Sequence, residues 1–158
     1  MAEVALRTVR DEDIDTLFEM MRDPVAVRMA AFTPADPDDR AAFDRHQARV
    51  RDAPDAENRA VTVDGQFAGT IACFLMEGDT EITYWIDRPW WGRGVASRAV
   101  ALFLSEVAVE RPLFARAASD NAGSLAVLRK AGVREAGRAV SYADGRRAEI
   151  EETILVLE

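Results

Sequence analysis

The chain contains few of the residues that form disulfides or bind metals. Its 158 residues include one cysteine, Cys73, and one histidine. A single cysteine excludes an internal disulfide, and no cysteine or histidine stands at the spacing of metal ligands, so we expect a reducing compartment and no metal. No apolar run approaches the roughly 20 residues that span a bilayer, and the N-terminus lacks the pattern of a signal peptide. The sequence therefore predicts a cytoplasmic protein.

The chain also has fewer basic than acidic residues. The chain has 20 basic and 28 acidic residues, which give a formal net charge of −8. On average the chain repels nucleic acid and anionic lipid, so we expect neither as a partner. An anionic ligand must then be bound by local donors. The length and the hydrophobic fraction of 49% are typical of one globular domain, and we expect residues 1–158 to form it.

Hydrophobic periodicity predicts a chain in which helices alternate with hairpins. The predicted strands are 4–9, 60–63, 67–76, 81–86, 113–118, 133–142 and 147–157. The predicted helices follow Asp11, run over about 38–51 and 94–109, and follow Asn121, whereas Pro24, Pro34 and Pro37 indicate an irregular connection. A helical crossover joins 81–86 to 113–118, so these two strands are parallel. We expect an α+β fold with a mixed, mostly antiparallel sheet and about four flanking helices.

A glycine-rich turn separates the strand at 81–86 from the helix that follows it. A strand, a tight turn and a helix start leave several backbone N–H groups unpaired and pointing in one direction, which suits a diphosphate. Glycines at such turns are also explained by their freedom to adopt positive φ, so the turn alone leaves both explanations open. The predicted contacts are Trp91, Gly92, Arg93, Gly94, Val95 and Ala96, with Arg93 either a cationic contact or a solvated side chain.

Five segments together resemble the GNAT N-acetyltransferases, and most closely the branch of ribosomal-protein N-terminal acetyltransferases. The segments are 6–13, 81–86, 90–97, 121–133 and the hairpin 144–149. Each is weak alone, but they follow the family's order over nearly the whole chain. The resemblance implies a single-domain GNAT fold with a splayed pair of parallel strands, and acetyl-CoA as cosubstrate. Trp91 departs from the Gln or Arg that begins the family's phosphate turn, whereas Gly94 and Ala96 match it.

The resemblance also implies roles for residues beyond the turn. Asn121 resembles an asparagine that contacts the pantetheine arm, and a helix N-cap is the competing interpretation. A backbone N–H at the end of the preceding strand, that of Ile86 or Asp87, is implied as the donor to the thioester oxygen. Many members carry a tyrosine acid where this chain has Leu128, so that acid is missing. Ser124 is therefore the candidate for contacting the thiol or its proton.

Acetyl transfer to an amine also needs a group that takes a proton from the nitrogen. An alkyl ammonium is mostly protonated at neutral pH, so a carboxylate or a water chain must remove its proton. Glu81 and Glu149 resemble acidic residues that the family places near its active site. Each is also explained as an exposed strand residue in an acidic chain. The predicted catalytic residues are Glu81, Ser124 and Glu149.

These features favour an acetyl-CoA-dependent N-acetyltransferase that transfers the acetyl group directly to an amine in a ternary complex. The acceptor is a protein α-amino group or a small primary amine, and we expect it to enter between residues 32–37 and the last hairpin. The alternative is a catalytically inactive sensor or interaction module that binds acyl-CoA, because Trp91 and Leu128 depart from the family pattern. The sequence leaves the oligomeric state open, a homodimer included.

Overall fold

A computed structural model describes residues 2–108 and 110–158, which form seven strands, five α-helices and one short 3-10 helix. The strands are β1 Val4–Arg7, β2 Glu57–Val63, β3 Gln66–Met76, β4 Asp79–Ile86, β5 Leu113–Ala118, β6 Arg134–Ala143 and β7 Ala148–Leu157. The α-helices are α1 Asp11–Arg22, α2 Pro24–Ala30, α3 Arg40–Asp52, α4 Val95–Glu106 and α5 Ala122–Lys130, and the 3-10 helix is Arg88–Trp90.

All seven strands belong to one sheet, in the order β1-β2-β3-β4-β5-β7-β6. Every neighbouring pair is antiparallel except β4 and β5. The parallel pair is joined only at its beginning, where Thr80 lies opposite Leu113 and Glu81 opposite Phe114. Beyond these residues the two strands diverge. The predicted fold class, a mixed and mostly antiparallel sheet with one splayed parallel pair, is confirmed.

The helices cover both faces of the sheet. The main core lies under α4 and α5, where Phe103, Leu113, Leu128 and Leu155 are almost completely buried. On the other face, α1 contacts β3 and α2 contacts β5. Among the described residues, no helix is long and apolar enough to cross a membrane.

Helix α2 lies where the sequence predicts an irregular connection. Asp23 caps it by accepting a hydrogen bond from Val25 N at 3.2 Å, and Pro24 occupies its first turn. Proline is well suited to that position because the N–H it lacks has no partner in the helix and its φ is already helical. Pro24 therefore marks the start of a helix, and the described residues form five α-helices where the sequence predicts about four. The predicted end of α4 near Val109 lies outside the described residues.

The hairpin between β6 and β7 is fastened to α2 and to the approach of α5. Gly145 N donates to Ala31 O at 2.8 Å, directly after α2. The Arg146 guanidinium donates twice to the Asp120 carboxylate, at 2.7 and 2.8 Å, and its Nε donates to Arg28 O. These bonds hold the tip of the hairpin against α2. They thereby fix the position of the hairpin next to β5.

Replacement of Gly145 by alanine tests how closely this hairpin packs. A Cβ at Gly145 would lie 2.6 Å from Val27 O and 2.7 Å from Ala31 O. Because both atoms belong to the backbone, we expect Gly145→Ala to lower the free energy of unfolding by about 1 to 3 kcal/mol in urea denaturation. Gly137→Ala in β6 is the matched control, since a Cβ there meets nothing within 4 Å. Equal stability of the two variants would contradict the close packing.

Candidate functional site

A cleft of about 490 Å³ opens where β4 and β5 diverge. It passes through the sheet, because α2 borders it on one face and α5 on the other. None of its described lining residues carries a charge. The lining residues are Ala26, Met29 and Ala30 of α2; Tyr84, Trp85 and Ile86 of β4; Trp90, Trp91, Gly92, Gly94, Val95, Ala96 and Ser97; and Asn121, Gly123, Ser124 and Val127.

The end of β4 presents a free backbone donor to this cleft. Asp87 N donates to Ala68 O at 2.8 Å, so its N–H is already paired with β3. Because hydrogen-bonded pairs alternate along an antiparallel ladder, the neighbouring Ile86 directs its N–H and C=O away from β3 and toward the cleft. The Ile86 carbonyl accepts a hydrogen bond from Trp91 Nε1 at 2.7 Å. Of the two predicted donors, the geometry favours Ile86.

The glycine turn has the backbone shape that its sequence predicts. Gly92 and Gly94 adopt φ of 74° and 76°, values that other residues rarely take. Gly94 is the N-cap of α4, and Val95, Ala96 and Ser97 form its first turn. In the described part of the chain, no backbone N–H from 92 to 97 has a protein acceptor. This segment is therefore an N-terminal helix site with several free donors, which favours an anion.

Two arginines near this turn differ in what they contact. Arg93 is exposed, and its guanidinium carbon lies 5.5 Å from the centre of the Trp90 ring. It does not line the cleft. Arg98, which the sequence analysis missed, donates to Ala2 O at 2.6 Å, Arg93 O at 2.9 Å and Gly94 O at 3.3 Å. By binding the turn's carbonyl groups, Arg98 holds the turn in shape. The sequence feature that could have indicated this role is the position of Arg98 four residues after Gly94.

Asn121 both caps α5 and lines the cleft. Its Oδ1 accepts from Ser124 N at 3.2 Å, which is the N-cap interaction. Its Nδ2 donates to Met29 O at 3.3 Å and so connects α5 to α2 across the cleft. The cap and the predicted ligand contact are therefore compatible, because the same side chain stands in the wall of the cleft.

Ser124 faces a tyrosine that the sequence analysis did not assign to the site. The Ser124 Oγ and the Tyr84 phenol oxygen lie 2.8 Å apart, within hydrogen-bond distance, and both residues line the cleft. Burial raises the pKa of Tyr84, and the hydrogen bond with Ser124 opposes part of that rise. The phenol therefore stays protonated at neutral pH. The two hydroxyl groups form a pair that can donate to a ligand atom.

The predicted bases stand outside the cleft lining. Glu81 is only 6% exposed, and its carboxylate lies 3.4 Å from Arg116 Nε. Burial raises the pKa of Glu81, and the Arg116 guanidinium offsets part of this rise. Arg116 Nη1 also donates to the buried Glu152 carboxylate at 3.0 Å. Glu149 is exposed on β7 opposite Tyr142.

Comparison with known proteins bears on the family of this chain. The family model of the acetyltransferase (GNAT) domain matches residues 3–134. No curated protein sequence matches the chain.

Several solved structures have the same fold. Mycobacterium smegmatis RimJ in complex with CoA disulfide has a TM-score of 0.79 and 22% identity, over 98% of this chain and 81% of that one. RimL, the ribosomal L7/L12 α-N-protein acetyltransferase in complex with coenzyme A, has a TM-score of 0.83 and 17% identity, over 98% and 93%. Spermidine N-acetyltransferase from Vibrio cholerae, in complex with CoA and spermine, has a TM-score of 0.78 and 12% identity, over 97% and 95%. At these identities the similarity shows the fold.

Removal of the Arg116 charge tests whether it neutralises two buried carboxylates. We expect Arg116→Met to lower the free energy of unfolding at neutral pH by about 2 to 4 kcal/mol, because buried charges lose their partner. The loss should shrink in mildly acidic buffer. With its folded-state pKa raised, Glu81 binds a proton more tightly in the folded protein, so stability rises as pH falls through that range. Urea denaturation at both pH values measures this.

Arg138→Met is the matched control for this variant. Arg138 also bridges two glutamates, Glu135 at 2.7 Å and Glu151 at 2.9 Å, but its side chain is 55% exposed. Solvent screens such pairs, so we expect little change in stability at either pH. If the two variants lose the same stability, burial of the Arg116 cluster is not what decides its contribution.

Proposed function

Because the chain belongs to the GNAT acetyltransferase family, we propose that it transfers the acetyl group of acetyl-CoA directly to a primary amine in a ternary complex. The observation that carries the proposal is the cleft between β4 and β5, which is lined by α2 on one face of the sheet and by α5 on the other. A cofactor that fills it from one face leaves its acyl group accessible to an amine from the other. No step in the proposal uses a metal.

The backbone donors divide the cleft into a phosphate end and an acyl end. The diphosphate lies at the free N–H groups of 92–97, which matters in a chain of net charge −8 that otherwise repels anions. The thioester oxygen lies at the Ile86 N–H, where a donor stabilises the charge that develops on that oxygen. Asn121, between the two ends, contacts the pantetheine arm.

The chemistry then follows from the groups at the acyl end. The amine nitrogen attacks the thioester carbon, and the negative charge on the oxygen is stabilised by the Ile86 N–H. As the C–S bond breaks, the sulfur carries the charge, and the Ser124 hydroxyl donates a hydrogen bond to it. The nitrogen loses one proton and the sulfur gains one, so the products are an amide and a free thiol.

The acceptor enters beside α2 and the last hairpin. A second cavity of about 690 Å³ is present there, between Pro34, Pro37 and the hairpin residues Asp144 and Gly145. This position supports entry from the face opposite α5. We propose a protein N-terminal α-amino group or a small-molecule amine as acceptor, and the cytoplasm as the location of the reaction.

Thiol release with a panel of amines tests this function. The wild-type protein is incubated with acetyl-CoA and N-terminal peptides, polyamines or small primary amines, and free coenzyme A is measured, while calorimetry measures cofactor binding. We expect transfer to at least one acceptor class. Binding without transfer to any amine would favour the inactive acyl-CoA-binding module, and the absence of both binding and transfer would refute the proposal.

Ala96→Pro tests the diphosphate position within this scheme. Ala96 is the second residue of α4, where proline is tolerated but removes one N–H donor. We expect coenzyme A to bind about tenfold or more weakly in calorimetry, since a hydrogen bond to a charged group contributes roughly 1.5 to 3 kcal/mol. Ala41→Pro, at the same position of α3, is the control and should bind normally. Wild-type affinity in Ala96→Pro would place the diphosphate elsewhere.

We propose that Glu81 takes, through water, the proton that the acceptor ammonium loses before its neutral nitrogen attacks. Glu81 shares a face of β4 with Trp85, which lines the cleft, and its pKa is raised toward neutrality. Since Glu81 must be ionised to accept a proton, kcat/KM should fall as pH falls through that raised pKa.

Glu81→Gln should lower kcat/KM by about 100-fold and flatten this acid limb. Glu149→Gln serves as the comparison, because Glu149 is exposed and lies outside the cleft lining. The readout is a pH profile of kcat/KM for each variant with one acceptor. An unchanged acid limb in Glu81→Gln would exclude Glu81 as the base, and its loss in Glu149→Gln would assign the role to Glu149.

A further inference from the structure

Tyr84 carries a partly buried hydroxyl group that the transfer scheme does not use. It lies in β4 on the face that packs against the main core, between Ile82 and Ile86. Its phenol oxygen lies 2.8 Å from Ser124 Oγ and 3.4 Å from Ser124 O. Ser124 is its only hydrogen-bond partner within the described chain. Because the Tyr84 hydroxyl hydrogen-bonds, among the described residues, only to Ser124, which lines the cleft, its geometry is suited to positioning the Ser124 side chain.

The direction of the hydrogen bond decides what Ser124 can do. If Ser124 donates to Tyr84, the serine hydrogen is occupied, and the nearest protein acceptor for the phenol hydrogen is Ser124 O at 3.4 Å. If Tyr84 donates to Ser124 Oγ, the serine hydrogen is free to turn toward the cleft. A phenol is more acidic than an aliphatic hydroxyl, so it is the better donor of the two. An electron-rich sulfur in the cleft therefore favours the second arrangement.

On the α5 side of the cleft the Tyr84 and Ser124 hydroxyls stand together, whereas Trp85 Nε1, a donor without a partner among the described residues, belongs to the opposite face of β4. Leu128, one turn further along α5, is buried and apolar. Apart from Tyr84 itself, no described residue that lines the cleft has a titratable side chain. Asn121 already donates one of its two amide hydrogens to Met29 O. The Tyr84 and Ser124 hydroxyls are thus the groups available to meet a negative charge on sulfur.

We propose that Tyr84 is a positioning residue, which donates its hydrogen bond to Ser124 Oγ and so directs the Ser124 hydroxyl at the sulfur of coenzyme A. The proposal rests on the proposed acetyl transfer. When the C–S bond breaks, its electron pair moves to sulfur and is met by the serine hydrogen, which is polarised by the phenol behind it. The proton that remains on sulfur comes from the acceptor nitrogen, so both hydroxyls end the reaction as they began it.

Kinetics of Tyr84→Phe and Ser124→Ala test the coupling between the two residues. We expect each variant to lower kcat about tenfold, the effect of one hydrogen bond to a charged atom, with KM for acetyl-CoA nearly unchanged. The double variant should be no slower than Ser124→Ala, because Tyr84 acts only through Ser124. Tyr142→Phe, at the exposed tyrosine of β6, is the control and should match wild type.

A binding measurement tests the same arrangement without turnover. The thiol of bound coenzyme A is titrated by its thiolate absorbance, as a difference against protein alone so that Cys73 cancels. In wild type, donation from Ser124 should lower the pKa of the bound thiol, and Tyr84→Phe and Ser124→Ala should each raise it by about one unit. If no amine is acetylated, the proposed function fails, while this titration still decides the role of Tyr84.

Three results would overturn the proposal. Additive losses of kcat in the double variant would show that Tyr84 does not act through Ser124. A rise in KM or a loss of folding stability in Tyr84→Phe with unchanged kcat would show a packing role. A bound thiol that titrates alike in wild type and Tyr84→Phe would show that the phenol has no influence on the sulfur.

Discussion

The short pairing between β4 and β5 is the constraint on which the site depends. The two strands are paired only at Thr80 and Glu81, so the backbone groups further along β4 face a gap instead of a neighbouring strand. Unpaired backbone groups away from water are costly, and each needs a partner. Trp91 supplies one for the Ile86 carbonyl. The Ile86 N–H also faces this gap, which is lined by α2 on one face of the sheet and by α5 on the other.

None of the described lining residues of the cleft is charged, so the proposed binding of the diphosphate relies on dipoles and hydrogen bonds. In the proposed scheme, a few free N–H groups at the start of α4 take the place of the arginines or lysines that many anion sites use, in a chain of net charge −8. Arg98 supports this arrangement from outside by binding the turn's carbonyl groups. Trp91, in the position where the family's turn begins with Gln or Arg, donates its indole N–H to the Ile86 carbonyl at the end of β4.

Local sequence predicted the features that depend on local geometry. Positive φ at Gly92 and Gly94 follows from the residue type, and the family that the five segments indicate is confirmed by the family match. Contacts between distant parts of the chain were not predictable in this way. Tyr84 and Ser124 are 40 residues apart, and their meeting depends on how α5 packs on the sheet. The choice between Ile86 and its neighbour depends on the phase of the β3–β4 ladder. Pro24 carried a local signal that was interpreted as a break.

The two faces of β4 have different chemistry, and the alternation of side chains explains how. Tyr84 points toward α5, whereas Glu81 and Trp85 point to the opposite face, where the carboxylates of Glu81 and Glu152 share Arg116. Hydroxyl groups thus stand on one face of β4 and carboxylates on the other. In the proposed reaction, an amine that arrives from the α2 face loses its proton on the side that holds carboxylates, and the thiolate forms on the side that holds hydroxyl groups. The two sides meet at the gap in the sheet, so the proposed direct transfer requires no covalent intermediate on the protein.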